Sequence, residues 1–335
     1  MIGTKINGWT IIPFTDENGV TTAYVGKGGM ATVYYAENSI HKKAAVKVMH
    51  RRYMDDDKVQ QRFRQEAEAM VMLNHRHIKD VYDLVLTADF AAIVMEYLDG
   101  YDLKQYSEKF GPLPEAKATD WLRQALDALS FAHKKKVLHR DIKPSNLFVT
   151  RDGVLKMVDF GIAKIIDADS ELTATDQIVG TPMYMSPEQI VSPRDLDPRT
   201  DIYSLGVTFY SLLSGKPPYD RNSTSAINIQ YKIVHEELPV LTNISPEMRA
   251  IIQKAIKKDR YERYGSCEEF LYDLENIGKV KLYCPNPRCK RQLPGNSSFC
   301  SHCGSHKDTR FCTNIKCLTE VSSNAHFCKK CGTHL

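Results

Sequence analysis

Three side chains in one stretch of this chain are of the types that phosphoryl transfer demands. His139-Arg140-Asp141-Ile142-Lys143-Pro144-Ser145-Asn146 is followed, thirteen residues after Asn146, by Asp159-Phe160-Gly161. Asp141 can take the proton of an attacking hydroxyl, while Asn146 and Asp159 can hold the magnesium or manganese ions that neutralise a triphosphate. Upstream, Gly26-Lys27-Gly28-Gly29-Met30-Ala31-Thr32-Val33-Tyr34 sets glycines where backbone N–H groups can approach phosphate oxygens with no Cβ in the way. A bare hairpin tip would carry the same glycines. Ala44-Ala45-Val46-Lys47-Val48-Met49 then places one lysine inside an apolar strand, a costly position unless negative charge meets it. Phosphates and a helix glutamate would supply that charge.

Several elements must position these groups. Phe63, Met70 and Leu73 fall on one face of a helix, which puts Glu66 near the lysine's side. Glu68 lies about 200° round the same helix and points to solvent; a solvated charge is the plain alternative for Glu66 as well. Residues 10–14 and 20–25 read as two strands around the turn residues Asp16-Glu17-Asn18-Gly19. With 335 residues, 42% hydrophobic and 26% charged, the composition is that of about two globular domains. A net charge of +4 is too small to argue for nucleic acid or a membrane surface. No apolar run approaches the ~18 residues of a membrane span, and residues 1–10 lack the order of a signal peptide. A soluble, cytoplasmic protein is expected.

Cysteine placement divides the chain. Of nine cysteines, only Cys267 precedes residue 284, and it reads as a small buried residue. Residues 276–283 form a connector. Beyond it, Cys284-x4-Cys289-x10-Cys300-x2-Cys303 is repeated 28 residues later as Cys312-x4-Cys317-x10-Cys328-x2-Cys331. Two close pairs joined by ten residues can converge on one tetrahedral ion, so each unit is expected to hold a structural Zn²⁺. Disulfides are the alternative, and the expected compartment speaks against them. His302, His306, His326 and His334 are then surface residues. From residue 284 on, eight Lys/Arg against Asp308 and Glu320 give +6, and two four-thiolate zinc sites of about −2 each bring it near +2. That weakens a nucleic-acid role and favours contact with a protein partner or with the rest of the chain.

Over residues 8–275 the chain resembles a bacterial eukaryotic-type (Hanks-type) serine/threonine protein kinase. Besides the motifs above, Ala92-Ile93-Val94-Met95-Glu96-Tyr97-Leu98-Asp99-Gly100 resembles the strand entering the interlobe hinge. Gly180-Thr181-Pro182-Met183-Tyr184-Met185-Ser186-Pro187-Glu188 resembles the end of an activation segment, and Asp201-Ile202-Tyr203-Ser204-Leu205-Gly206-Val207 a buried helix. Arg263 is placed to pair with Glu188. The departures are Ala31 at the third glycine position and Ser186 where alanine is commoner. The tail resembles a double zinc ribbon.

The resemblance implies an α+β, bilobal protein-kinase fold: a β-rich N-lobe over about 1–97 and a helical C-lobe over about 98–275. A linker at 276–283 and two zinc ribbons, 284–304 and 305–335, would follow. ATP would sit between the lobes under the loop of Gly26, Lys27, Gly28, Gly29, Met30 and Ala31. Its adenine would lie between Val33 and Ala45 above and Leu147 below, bonded to backbone from Glu96 to Leu98, with Met95 as gatekeeper. Lys47, paired with Glu66, would orient the phosphates. Asp141 would be the catalytic carboxylate and Lys143 would offset γ-phosphoryl charge. Lys143, and Thr181 bonded to the catalytic pair, match the branch that modifies Ser/Thr of protein substrates. Arg140 calls for a negative partner, which phosphate on Thr173 or Thr175 would provide; a polar loop with incidental hydroxyls, or its own carboxylates, is the alternative. A zinc-dependent scaffold or pseudokinase, binding ATP with little turnover because of Ala31, would keep the same fold. The intact Lys47, Asp141 and Asp159 speak against it.

Overall fold

The computed structural model describes residues 1–16, 19–160, 182–220, 225–278, 284–291, 297–322 and 325–335, with Arg62, Glu66 and Ala69 followed along the backbone only. The chain forms two compact units, Met1–Glu275 and Asn276–Leu335.

The first unit opens with a mostly antiparallel sheet. Its strands are β1 (Lys5–Ile6), β2 (Trp9–Ile11), β5 (Gly26–Lys27), β6 (Ala31–Asn38), β7 (Lys43–Met49), β8 (Val81–Leu86) and β9 (Ala91–Glu96). They run in the order β1-β2-β6-β7-β9-β8, with β5 folded back on β6. Strand periodicity sorts β7 onto two faces. Ala44, Val46 and Val48 enter one core with Ile6, Ile11, Ala92 and Val94. Ala45 and Met49 enter a second core with Ile93, Met95 and the apolar face of helix α1 (Asp57–Val71), from Val59 to Phe63 and Ala67. Lys47, two residues from Ala45 and from Met49, therefore projects on the α1 face, opposite Val33 and Ile93. Glu68 on α1 is exposed, as its helical angle requires.

The N-terminal strands depart from expectation. Residues 10–14 and 20–25 do not form two long paired strands. Trp9–Ile11 pairs with residues 36–38 instead, and only a short hairpin, β3 (Phe14–Thr15) with β4 (Thr21–Thr22), closes round the turn. A long-range partner, with Ile11 fully buried, outcompetes the local one.

The remainder of this unit is largely helical: α2 (Leu103–Phe110), α3 (Glu115–Lys134), α4 (Pro187–Val191), α5 (Arg199–Ser214), α6 (Ala226–His235), α7 (Pro246–Ala255) and α8 (Cys267–Glu275). A small sheet of β10 (Gly100–Asp102), β11 (Leu147–Thr150) and β12 (Leu155–Met157) carries the 139–146 stretch between α3 and β11. Helix α5 is buried from Thr200 to Leu213. Gly206 lets it touch α7: a Cβ there would come within 2.8 Å of Ile256 and 2.9 Å of Ala255.

Among its described residues the second unit has little regular structure. One short pairing, β13 (Arg310–Phe311) with β14 (Glu320–Val321), and the buried cysteines 284, 300, 312 and 328 take the place of an aliphatic core.

Candidate active site and cysteine clusters

The stretch from His139 to Asn146 is held from below by α5. Asp201, fully buried, accepts the backbone N–H of His139 on Oδ2 and of Arg140 on Oδ1, each at 2.8 Å. These bonds hold Arg140 at φ 61°, a left-handed conformation that a non-glycine residue keeps only when its surroundings enforce it. His133 Nε2 donates to Asp201 Oδ2 at 2.8 Å. Burial alone would raise the Asp201 carboxyl, but these donors outweigh it and hold it below the usual range. The His139 ring contacts Val158 O through Nε2 at 3.1 Å and lies 3.3 Å from Asp141 N through Nδ1. That fits one neutral tautomer, donating at Nε2 and accepting at Nδ1. Burial favours it by pushing the His139 pKa down.

Asp141 then sits at the centre of a polar set. Lys143 Nζ donates to its Oδ2 at 2.8 Å, and Asn146 Nδ2 donates to the same oxygen at 3.0 Å and to the Asp141 carbonyl at 2.8 Å. Asp159, at φ 54°, faces Lys47, with Nζ 3.8 Å from Oδ1. The lysine holds the Asp159 carboxyl below its ordinary range, so it is charged at neutral pH.

Lys47 and Asp159 line a cavity of about 410 Å³, together with the whole of the 26–31 loop and Val33. A Cβ at Gly26 or Gly29 would meet nothing within 4 Å, so the missing side chains leave open space there. Ala31 is buried against the α1 core, which accommodates its methyl group. Met49, Val59 and Phe63 also line this cavity and were not anticipated as site residues. The alternation along β7 and the apolar face of α1 were the signals available. Ala45, Met95, Glu96, Leu98 and Leu147 are not part of its lining. Ala45, Met95 and Leu147 are buried. Glu96 already donates its amide to Asp80 O, and its carboxylate accepts from Lys156 Nζ at 2.9 Å. Glu66 stands on α1 with its side chain outside the described residues. Thr173, Thr175 and Thr181 lie outside them altogether.

Glu188 and Arg263 form the two-pronged pair their positions imply: Nη1 to Oε1 at 2.6 Å and Nη2 to Oε2 at 2.8 Å. Burial would raise the Glu188 carboxyl, but the guanidinium overrides it and holds the carboxyl low. Arg140 Nε is buried with no hydrogen-bond partner among the described residues.

In the second unit the cysteines gather as two sets, Cys284/Cys289/Cys300/Cys303 and Cys312/Cys317/Cys328/Cys331, each with its sulfurs within 4.8 Å of one another. Sulfur separations are 3.4 Å for Cys284–Cys303, 3.7 Å for Cys289–Cys300, 3.4 Å for Cys312–Cys331 and 3.8 Å for Cys317–Cys328. Four sulfurs about 2.3 Å from one ion would stand about 3.8 Å apart, whereas a disulfide is about 2.0 Å. All eight are free thiols. The donor set and spacing fit zinc, and disulfides are not formed. His306 and His334 stack edge-on against Phe299 and Phe327, each with ring centroids 4.9 Å apart.

A kinase-like bilobed unit carrying this set of charges finds its counterparts among known proteins. The protein kinase domain model matches residues 20–273, and the chain belongs to that family. Among relatives, the serine/threonine-protein kinase drp72 of Corynebacterium efficiens is 38% identical over 73% of this chain and 48% of its own length. The serine/threonine-protein kinase PrkC of Bacillus subtilis is 36% identical over 75% and 39%, respectively. This chain thus spans less than half of either. Among solved structures, a double mutant of the Mycobacterium tuberculosis PknI kinase domain aligns with a TM-score of 0.62 at 26% identity. The alignment covers 82% of this chain and 98% of that one. No helix among the described residues is long and apolar enough to cross a membrane.

Proposed function

We propose that this chain is an ATP-dependent serine/threonine protein kinase whose tail is folded around two zinc ions. The observation that carries the reading is the bonded set Asp141–Lys143–Asn146 together with the Lys47–Asp159 pair that lines a glycine-bordered cavity. Asp141, its Oδ2 held in place by Lys143 and Asn146, is suited to orient a substrate hydroxyl and take its proton. Lys143, 2.8 Å from Asp141, supplies positive charge for the phosphoryl oxygens in flight. Lys47 and the amides of the 26–31 loop hold the phosphates. Asn146 and Asp159 would hold Mg²⁺ or Mn²⁺, which screens the triphosphate when bound. The adenine end remains assigned to Val33, Ala45, Met95, Leu147 and the 96–98 backbone by family resemblance. The unpartnered Arg140 Nε favours control by phosphate on Thr173 or Thr175.

The two cysteine sets would each bind one Zn²⁺ and form zinc ribbons at 284–304 and 305–335, a site for a protein partner or for control of the kinase unit. Phosphate incorporation from labelled ATP into a protein substrate tests the main reading. Wild type should transfer label and Asp141→Asn should lose a factor of about 10² or more while melting at the same temperature. Equal incorporation by the two would sink it.

A further inference from the structure

A second cavity, of about 570 Å³, opens on the other side of the catalytic lysine. Lys143 and Ser145 form one wall and α2 another, with Lys104, Ser107 and Glu108 on one helical face. The turn after α5 supplies Lys216.

The charges on this wall do not balance. There are three lysines and one carboxylate. Glu108 faces Lys104 at 3.5 Å, and Lys143 is engaged by Asp141 at 2.8 Å. Lys216 has no carboxylate partner among the described residues, and its side chain is exposed. Its backbone, by contrast, is fixed. The Ser211 and Ser214 hydroxyls donate to the Lys216 carbonyl at 2.9 and 3.0 Å. The preceding Gly215, at φ +69°, packs so closely that a Cβ would stand 2.5 Å from Pro112. An unbalanced cation on a fixed backbone, beside a cavity that shares Lys143 with the phosphotransfer centre, can discriminate between substrates.

We propose that this cavity receives an anionic side chain of the protein substrate, a carboxylate or a phosphate, and that Lys216 selects it. The anion lies a few residues from the hydroxyl to be modified, since an extended chain covers ~10 Å in three residues. A basic side chain would meet three ammonium groups and only one carboxylate, already paired. The inference rests on the kinase reading above, and the two can fail separately.

The full-length chain is tested in two assays. Transfer of label from ATP to a serine peptide with neutral flanks reports the kinase reading alone. Fluorescence anisotropy then reads the binding of peptides in which alanine replaces the acceptor serine, with Asp, phosphoserine or Lys flanks, and needs no turnover. The Asp or phosphoserine peptide should bind about three- to fivefold tighter than the Lys peptide, the range exposed ion pairs reach, and less so at high salt. Lys216→Ser should level the preference and Lys216→Glu invert it. Tighter binding of phosphoserine than of Asp assigns the site to phosphate; the reverse assigns it to carboxylate. Equal affinities for all three peptides, no peptide binding, or a preference unchanged in Lys216→Glu would overturn the proposal.

Discussion

Arg263 carries a consequence at the scale of one side chain. Its guanidinium is buried, bonded to Glu188 by two prongs, and also donates to the carbonyls of Lys257, Arg199 and Lys258 at 2.7, 3.1 and 3.0 Å. Truncation would leave Glu188 charged in the interior without its counter-ion, still bonded by the Thr200 hydroxyl at 2.8 Å. Arg263→Ala should therefore cost about 3–5 kcal/mol in urea unfolding, and Arg263→Lys a substantial part of it, because a point charge cannot reproduce the fork. This pair was legible in the sequence, since both partners sit in motifs with fixed roles. The cluster round Asp141 was legible for the same reason: Asp141, Lys143 and Asn146 lie within six residues, so local chain geometry already brings them together. The lining of the glycine-bordered cavity by Met49, Val59 and Phe63 was not, because ordinary core residues look the same in sequence whether they border a void or fill one.

Between residue and fold stands the 139–146 stretch as an element, and its shape is imposed from a distance. Asp201 bonds amides 62 and 61 positions away along the chain, a relation that no spacing rule exposes. The helix around it could be read as buried; what its carboxylate holds could not. Asp201→Asn puts an N–H₂ where two backbone donors converge and leaves one of them unsatisfied. The expected cost is about 1–3 kcal/mol in stability, accompanied by a fall in kcat as Arg140 relaxes from its left-handed conformation. Urea melts and turnover on one preparation check both. The N-terminal strands failed as a reading for a related reason: the turn signal in the 16–19 sequence was visible, but Trp9–Ile11 is claimed by a strand more than twenty residues on.

For the molecule as a whole, the two units answer to different conditions. Elemental analysis should find about two zinc ions per chain. A strong chelator should unfold the tail, as limited proteolysis would report, and leave the melting of residues 1–275 unchanged. Acid acts on the kinase unit. Burial lowers the pKa of His75, His77 and His139, so the unfolded chain binds more protons as pH falls below about 6.5. Stability is thus retained above that value and declines beneath it. A second loss should follow in the carboxylate range, where Glu188 and Asp201, held low in the fold, are protonated more readily once unfolded. Thermal melts from pH 8 to 4 should show a declining midpoint; a flat profile would contradict this assignment. The ninth cysteine gives the chain an internal clock. Cys267 is 1% exposed at the start of α8, its sulfur 3.5 Å from His133 Nδ1, and burial pushes its thiol well up. An alkylating reagent should therefore consume the stripped tail in a fast burst and reach the last sulfur only when α8 lifts away from α3. The rate of that final addition times the spontaneous opening of the helical lobe at a single atom.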